Sequence, residues 1–230
     1  MIMQVIQVLG VLVVSYLLGS IPFGWIIVKL STGRDIREVE SGRMGGTNAM
    51  RAAGFLAGLL TAIGDIAKAY VTHWLVVWFI PADWGIRIWL EVAAPLMAIL
   101  GHNYSIYLLT RHSDGTVKLR GGAGGAPCFG GTLGILPWSA YIILPIGVLV
   151  YVFVGYASVT TLSIAISATA LFTYLTLTQG YPWQYILYGV FSFFILAWAL
   201  RPNLKRLAEG TERAVGLRAY LQKRRQAQSK

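Results

Sequence analysis

Gly124-Gly125-Ala126-Pro127-Cys128-Phe129-Gly130-Gly131-Thr132-Leu133-Gly134-Ile135-Leu136-Pro137 is the stretch on which the architecture turns. It is apolar, yet its 14 residues fall short of the roughly 20 that a membrane-crossing helix needs, and Pro127 interrupts it. Read as a thin crossing it is the seventh of the chain; read as a re-entrant piece or a loop lining a cavity, it leaves six. On either side lie stretches long enough to cross, at about 4–30, 53–80, 88–109, 138–157, 158–178 and 182–200. With 56% hydrophobic residues, 12% charged residues and a mean hydropathy of +0.63, the 230-residue chain has too little polar surface for a water-soluble domain.

Positive charge decides between six and seven, because Lys and Arg in short loops favour the cytoplasmic side. Five basic residues lie between Lys29 and Arg51, three between Arg111 and Arg120, and nine from Arg201 to Lys230, together 17 of the 19 in the chain. They share one side only if an even number of crossings separates consecutive clusters, and this requires 124–137 to cross. Arg87 then sits alone in an outer loop and Lys68 inside a span. The expected fold is all-α: a polytopic membrane helix bundle of about seven transmembrane helices. The N-terminus is expected outside and the C-terminus in the cytoplasm, with residues 1–230 as one domain and 214–230 as a mobile basic tail drawn to anionic headgroups. The amino end has no basic cluster before its apolar run and no small-residue cleavage site, so it reads as a retained helix. Cys128 is the only cysteine, and His73, His102 and His112 are scattered, so no disulfide, metal or organic cofactor is implied.

Polar chemistry concentrates on the expected cytoplasmic side. Ser41-Gly42-Arg43-Met44-Gly45-Gly46-Thr47-Asn48-Ala49-Met50-Arg51 offers hydroxyls, backbone amides with little bulk around them, and a closing cation, a set suited to a phosphate at a helix start. The bland alternative is a flexible loop with a helix cap at Thr47 or Asn48. Arg120-Gly121-Gly122-Ala123-Gly124-Gly125 is a second such run, able to cradle a phosphate or to pack helices closely through small residues. Asp65 and Lys68, three apart within a span, should face the interior and pair, since each charge near mid-bilayer costs on the order of 2.5–3.5 kcal/mol. Asn203 follows the last span; Lys205 and Arg206 read as a positive flank.

In the order they occur, these motifs resemble those of the integral-membrane glycerol-3-phosphate acyltransferases that use acyl phosphate. Gly19-Ser20-Ile21-Pro22-Phe23-Gly24 resembles the family's Gly-Ser-Ile-Pro-x-Gly, and Ser41 to Arg51 its Ser-Gly-Asn-x-Gly-Ala-Thr-Asn-x-x-Arg. Asp65-Ile66-Ala67-Lys68 resembles its Asp-x-x-Lys, Gly101-His102 its Gly-His, Tyr156-Ala157-Ser158 a Tyr-x-Ser, and Asn203 to Leu207 with Glu212 its closing Asn-x-x-Arg-Leu and later Glu. The resemblance implies transfer of an acyl group from acyl phosphate to glycerol-3-phosphate, giving 1-acyl-glycerol-3-phosphate and phosphate at the cytoplasmic face of the cell inner membrane. It also implies membrane lipids as surroundings, no nucleic acid, and a possible upstream enzyme that forms the acyl phosphate. By the same resemblance Ser41, Arg51 and Asn203 are catalytic, and Gly42, Gly45, Thr47, Asn48, Lys68, Arg120, Gly121, Gly122, Gly124 and Ser158 bind substrate. Glu212 is structural.

The chain departs from the family pattern at four of these places. Ala123 stands for a lysine, Leu200 for a histidine, Arg43 for an asparagine and Ser105 for a proline. An active enzyme with rearranged contacts, an acyltransferase with another donor or acceptor, and a homologue without turnover all remain open on these residues. So does a small-anion transporter.

Overall fold

The computed structural model describes residues 2–111 and 115–228. His112 of the scattered histidines, and Ser229 and Lys230 of the basic tail, lie outside them. Among the described residues ten α-helices and one hairpin follow in order: α1 Ile2–Ser20, α2 Phe23–Thr32, α3 Gly46–Ala53, α4 Phe55–Phe79, α5 Arg87–Asn103, β1 Ser105–Arg111, β2 Val117–Arg120, α6 Gly125–Ile135, α7 Ala140–Leu149, α8 Ala157–Gln179, α9 Gln184–Ala208 and α10 Gly216–Gln228. A 3₁₀ turn leads into α7, and a π turn, Val150–Val154, extends it.

Among the described residues five helical stretches are long and apolar enough to cross a membrane: 2–32 (α1 with α2), α4, 137–154 (α7 with its flanking turns), α8 and α9. Their outward faces carry large apolar side chains, with Tyr141 83% and Leu177 79% exposed, an arrangement that needs lipid as solvent. α5 and α6 are also apolar, but at 17 and 11 residues they are shorter.

Inside the bundle, α1 packs on α5, α4 on α6 and α8 on α9. Small residues permit the close approach: a Cβ on Gly101 would strike the backbone of Tyr16 and Gly19, and one on Gly130 the carbonyl of Ile66. Around α6, Cys128 and Phe129 pack with Ile99, Ile143, Phe172, Tyr188 and Leu196, and the Tyr188 hydroxyl donates to the Cys128 carbonyl at 2.7 Å. At the far end Arg87 Nε pairs with Glu91 Oε1 at 3.0 Å, and the Tyr185 hydroxyl donates to Glu91 Oε2 at 2.6 Å.

Two expectations change. The stretch 88–109 is not one helix: α5 stops at Asn103 and Ser105–Arg111 pairs antiparallel with Val117–Arg120, so the chain is not purely α. Residues 105–111 bury Ser105 and Leu108, three apart, and expose Ile106, Tyr107 and Leu109; the register is irregular between Ser105 and Leu109, so no period-two alternation marks the strand in the sequence. The first span breaks at Ile21-Pro22, where the proline has no N–H to continue α1. The carbonyls left at the break find side chains, as Ser105 Oγ donates to Ser20 O at 2.6 Å and Lys68 Nζ to Ile21 O at 2.9 Å. A proline at 105 could not make the first of these bonds.

Candidate active site

Between α2 and α3 the chain runs over one end of the bundle, and its own side chains hold it there. Asp35 accepts from Arg37 Nη2 at 2.6 Å and from Trp25 Nε1 at 3.3 Å, and the Arg37 guanidinium pulls the pKa of the Asp35 carboxyl down to about 2. Asn48, buried on α3, directs its side-chain amide at three carbonyls: Arg43 at 2.9 Å, Val39 at 3.0 Å and Ile36 at 3.3 Å. Met44 N donates to Gly121 O at 3.3 Å, so the two glycine-rich runs meet. Ser41 to Gly45 is a pinned loop rather than a flexible one. α3 begins at Gly46 with Gly45 as its cap and no side-chain cap from Thr47 or Asn48. The Gly46 and Thr47 amides, ahead of the first helical bonds from Asn48 N and Ala49 N to Gly45 O, therefore have no acceptor within the helix.

Those amides border a cleft of about 680 Å³. Ser41, Arg43, Thr47, Arg51, Asn203 and Arg206 form its polar end, together with Gly125 and Ala126 at the start of α6. Phe55, Leu59, Ile143, Leu144, Val148 and Ile164 form an apolar wall. Two helix starts and three arginines thus face the same space as a surface fit for a hydrocarbon chain. Arg43 Nη2 also donates to Ala199 O near the end of α9 at 2.7 Å, and burial, then the nearby Arg206 charge, hold its guanidinium below the usual arginine value. Along one wall Glu212 accepts from Ser158 Oγ at 2.7 Å and from Asn203 Nδ2 at 3.1 Å, which ties α8 and α9 together and fixes the Asn203 amide. Glu40 and Arg213 form an ion pair at the rim.

The expected site residues divide into two groups. Ser41, Gly45, Thr47, Asn48, Arg51, Ser158 and Asn203 line the cleft. Gly42, Lys68, Arg120, Gly121, Gly122 and Gly124 do not, and they support the lining from behind. Gly122 N donates to His102 O at 2.9 Å, and a Cβ there would overlap the His102 ring, so this glycine lets the loop lie flat on α5. Gly124, at φ 88°, turns the chain into α6. Lys68 Nζ lies 2.9 Å from Asp65 Oδ1 and 3.0 Å from His102 Nδ1, fully interior, and of these three only Asp65 and His102 reach the cleft. Arg43, Arg206 and Tyr151 are lining residues that the sequence motifs do not single out as site residues. Arg206 is hidden by its place in a basic flank and Tyr151 by its apolar neighbours.

Known proteins resemble this chain over nearly all of its length. A family model described as glycerol-3-phosphate acyltransferase matches residues 9–210. A glycerol-3-phosphate acyltransferase of Thermus thermophilus is 37% identical over 212 residues, covering 90% of this chain and 95% of its own. Glycerol-3-phosphate acyltransferase 3 of Dehalococcoides mccartyi is 34% identical over 92% of this chain and 97% of its own. Among solved structures, PlsY, an integral membrane glycerol 3-phosphate acyltransferase, matches in its glycerol 3-phosphate form with a TM-score of 0.75 and 28% identity, over 93% of this chain and 98% of that one. Its lysophosphatidic acid form matches with a TM-score of 0.74. A bundle of membrane-length helices, the motif order, a family model matching residues 9–210 and near full-length identity above 30% carry one conclusion: the chain belongs to the glycerol-3-phosphate acyltransferase family.

Proposed function

We propose that the cleft transfers an acyl group from acyl phosphate to glycerol-3-phosphate, giving 1-acyl-glycerol-3-phosphate and inorganic phosphate. The observation that carries this reading is the meeting of Arg43, Arg51, Arg206 and two helix starts with an apolar wall in one cleft. An acyl phosphate is an activated amphiphile with an anionic head, and glycerol-3-phosphate is a small dianion. The protein's task is to hold both anions in register with the carbonyl within reach of the acceptor hydroxyl. The hydroxyl oxygen forms the new C–O bond, the carbonyl–phosphate C–O bond breaks, and the hydroxyl proton leaves with the phosphate. Ser41, Thr47, Arg51 and Asn203 surround the phosphates and offset charge developing on the carbonyl and the leaving group. Ser158 acts through Glu212, which orients Asn203. Gly42, Asn48, Gly121, Gly122, Gly124, Arg120 and Lys68 fix the loops that carry these groups.

The same reading has seven crossings in an inner membrane, the cleft on the cytoplasmic face, and an upstream acyl-phosphate-forming enzyme as the source of donor. What supports this orientation is that members of the basic clusters, Arg43, Arg51, Arg206 and Arg213, line the cleft and that Arg120 approaches Gly42 beside it. The test is acyl transfer by purified protein in lipid, with labelled glycerol-3-phosphate, acyl phosphate and thin-layer separation of product. Wild-type protein is expected to form lysophosphatidic acid, and Arg51→Ala to lose about 100-fold or more while keeping its elution volume in detergent, as expected for loss of a charged group that binds the reacting phosphate. Undiminished turnover in Arg51→Ala overturns the site assignment, and transfer from acyl-CoA but not acyl phosphate overturns the donor.

A further inference from the structure

The family match ends at residue 210, and α10, Gly216–Gln228, lies beyond it. Residues 213–225 hold Arg213, Arg218, Lys223, Arg224 and Arg225 and no acidic residue. The segment is fastened where α7 ends: Val215 N donates to Gly155 O at 2.9 Å, Ala214 pairs with Tyr156, and the Arg218 guanidinium sits 4.7 Å over the Tyr156 ring. Phe153 and Val154, just before this junction, are 66% and 42% exposed and belong to the lipid-facing surface of α7. α10 therefore leaves the bundle at the level where that apolar surface stops. Leu217, Tyr220 and Leu221 follow the i, i+3, i+4 spacing that puts them on one face, and all three are exposed at 42–60%.

We infer that α10 lies in the plane of the membrane surface, with Leu217, Tyr220 and Leu221 at the boundary between headgroups and acyl chains and Arg218, Lys223, Arg224 and Arg225 on anionic lipid headgroups. The occupant of the apolar face is lipid because α10 begins where the exposed apolar surface of α7 stops and its charged residues are all cations. A basic amphipathic helix so placed binds through apolar burial and surface charge together. Arg213, paired with Glu40 at the cleft rim, ties this anchor to the mouth of the site. Charge, exposure and attachment are independent of which acyl donor the cleft accepts.

The full-length protein suits a site-specific test because Cys128 is buried. Single cysteines replacing Leu221 or Gln222 are labelled with a polarity-sensitive fluorophore, and each protein is placed in nanodiscs of zwitterionic lipid or of zwitterionic plus anionic lipid, with a quencher carried at shallow depth on a lipid. In anionic discs the label at 221 should be strongly quenched and blue-shifted and the label at 222 should not. The contrast should fade in high salt, in zwitterionic discs and in the variant Arg218→Gln/Lys223→Gln/Arg224→Gln/Arg225→Gln, each charge being worth about fivefold in attachment to an anionic surface. Equal, weak quenching at both sites overturns the inference. So does quenching at 221 that ignores lipid charge, or protection of 221 that appears only when the protein self-associates.

Discussion

The guanidinium of Arg43 binds a backbone carbonyl 156 residues away, at Ala199, and borders the cleft with no carboxylate at ion-pair distance among the described residues. One of its five N–H groups is taken by Ala199, and the charge that acts on it most strongly is the like-charged Arg206. A cation so held, beside Leu200 and Ala123, which bring no polar side-chain atom to the lining, is suited to a phosphate oxygen. Arg43→Gln should lower kcat/KM for glycerol-3-phosphate or the acyl donor by roughly 10- to 100-fold, with thermal stability in detergent little changed. Arg43→Lys should not restore it, because a lysine cannot hold Ala199 O and a phosphate with one planar fork. Wild-type kinetics in Arg43→Gln would remove this residue from the site. The motif from Ser41 to Arg51 was legible because its residue types suit anions whatever the fold. The bond to Ala199 was not, since a main-chain carbonyl has no sequence signature.

At the scale of elements, Asp65, Lys68 and His102 join α4 to α5 and to the break between α1 and α2. Lys68 Nζ contacts Asp65 Oδ1, His102 Nδ1 and Ile21 O, and all three side chains are buried. His102 Nδ1 lies 3.0 Å from Lys68 Nζ and 3.3 Å from Asp65 Oδ1, so the three groups form one cluster, with the Nε2 edge of the ring against Gly122. Removing the ammonium leaves a buried carboxylate without its main partner, so Lys68→Met should cost about 3–5 kcal/mol, and the double variant Asp65→Asn/Lys68→Met should recover part of it. Thermal melts in detergent measure both; additive losses would show that the two groups do not act as a pair. The pairing of Asp65 with Lys68 was readable from their spacing and the expense of a lone charge in lipid. The entry of His102 was not, because the Gly101-His102 motif does not encode the packing of α5 on α4 that brings its ring to Lys68. What ends α5 is tertiary: Tyr16 Oη donates to Tyr104 O at 2.7 Å and Ser105 Oγ to Ser20 O, fixing the chain against α1 as it leaves the helix.

For the whole molecule, charge parity along the sequence turns on whether 124–137 crosses, and the structure recasts that question. α6 starts beside His102 and Asn103, at the cleft end, and α7 finishes at Gly155, where Val215 of the tail is bonded. α6 and α7 therefore leave the cleft end and return to it as a pair, and we propose that 124–137 counts as a crossing although α6 has only 11 residues, which makes the number of passes between the second and third basic clusters even. On that reading the described parts of these clusters lie at one end, while Arg87, Glu91 and Tyr185 meet away from the cleft. Because Lys and Arg are retained on the cytoplasmic side, we predict that the cleft opens to the cytoplasm and that the loop 80–86 lies outside. Cysteines introduced singly at Asp83, Ser31 and Gln222 report on it, since Cys128 is buried and silent. In intact spheroplasts a membrane-impermeant thiol reagent should label the 83 variant at once and the other two only after permeabilisation. Labelling of 31 or 222 from outside would invert the molecule and expose the cleft to a compartment where an intracellular acyl donor could not reach it.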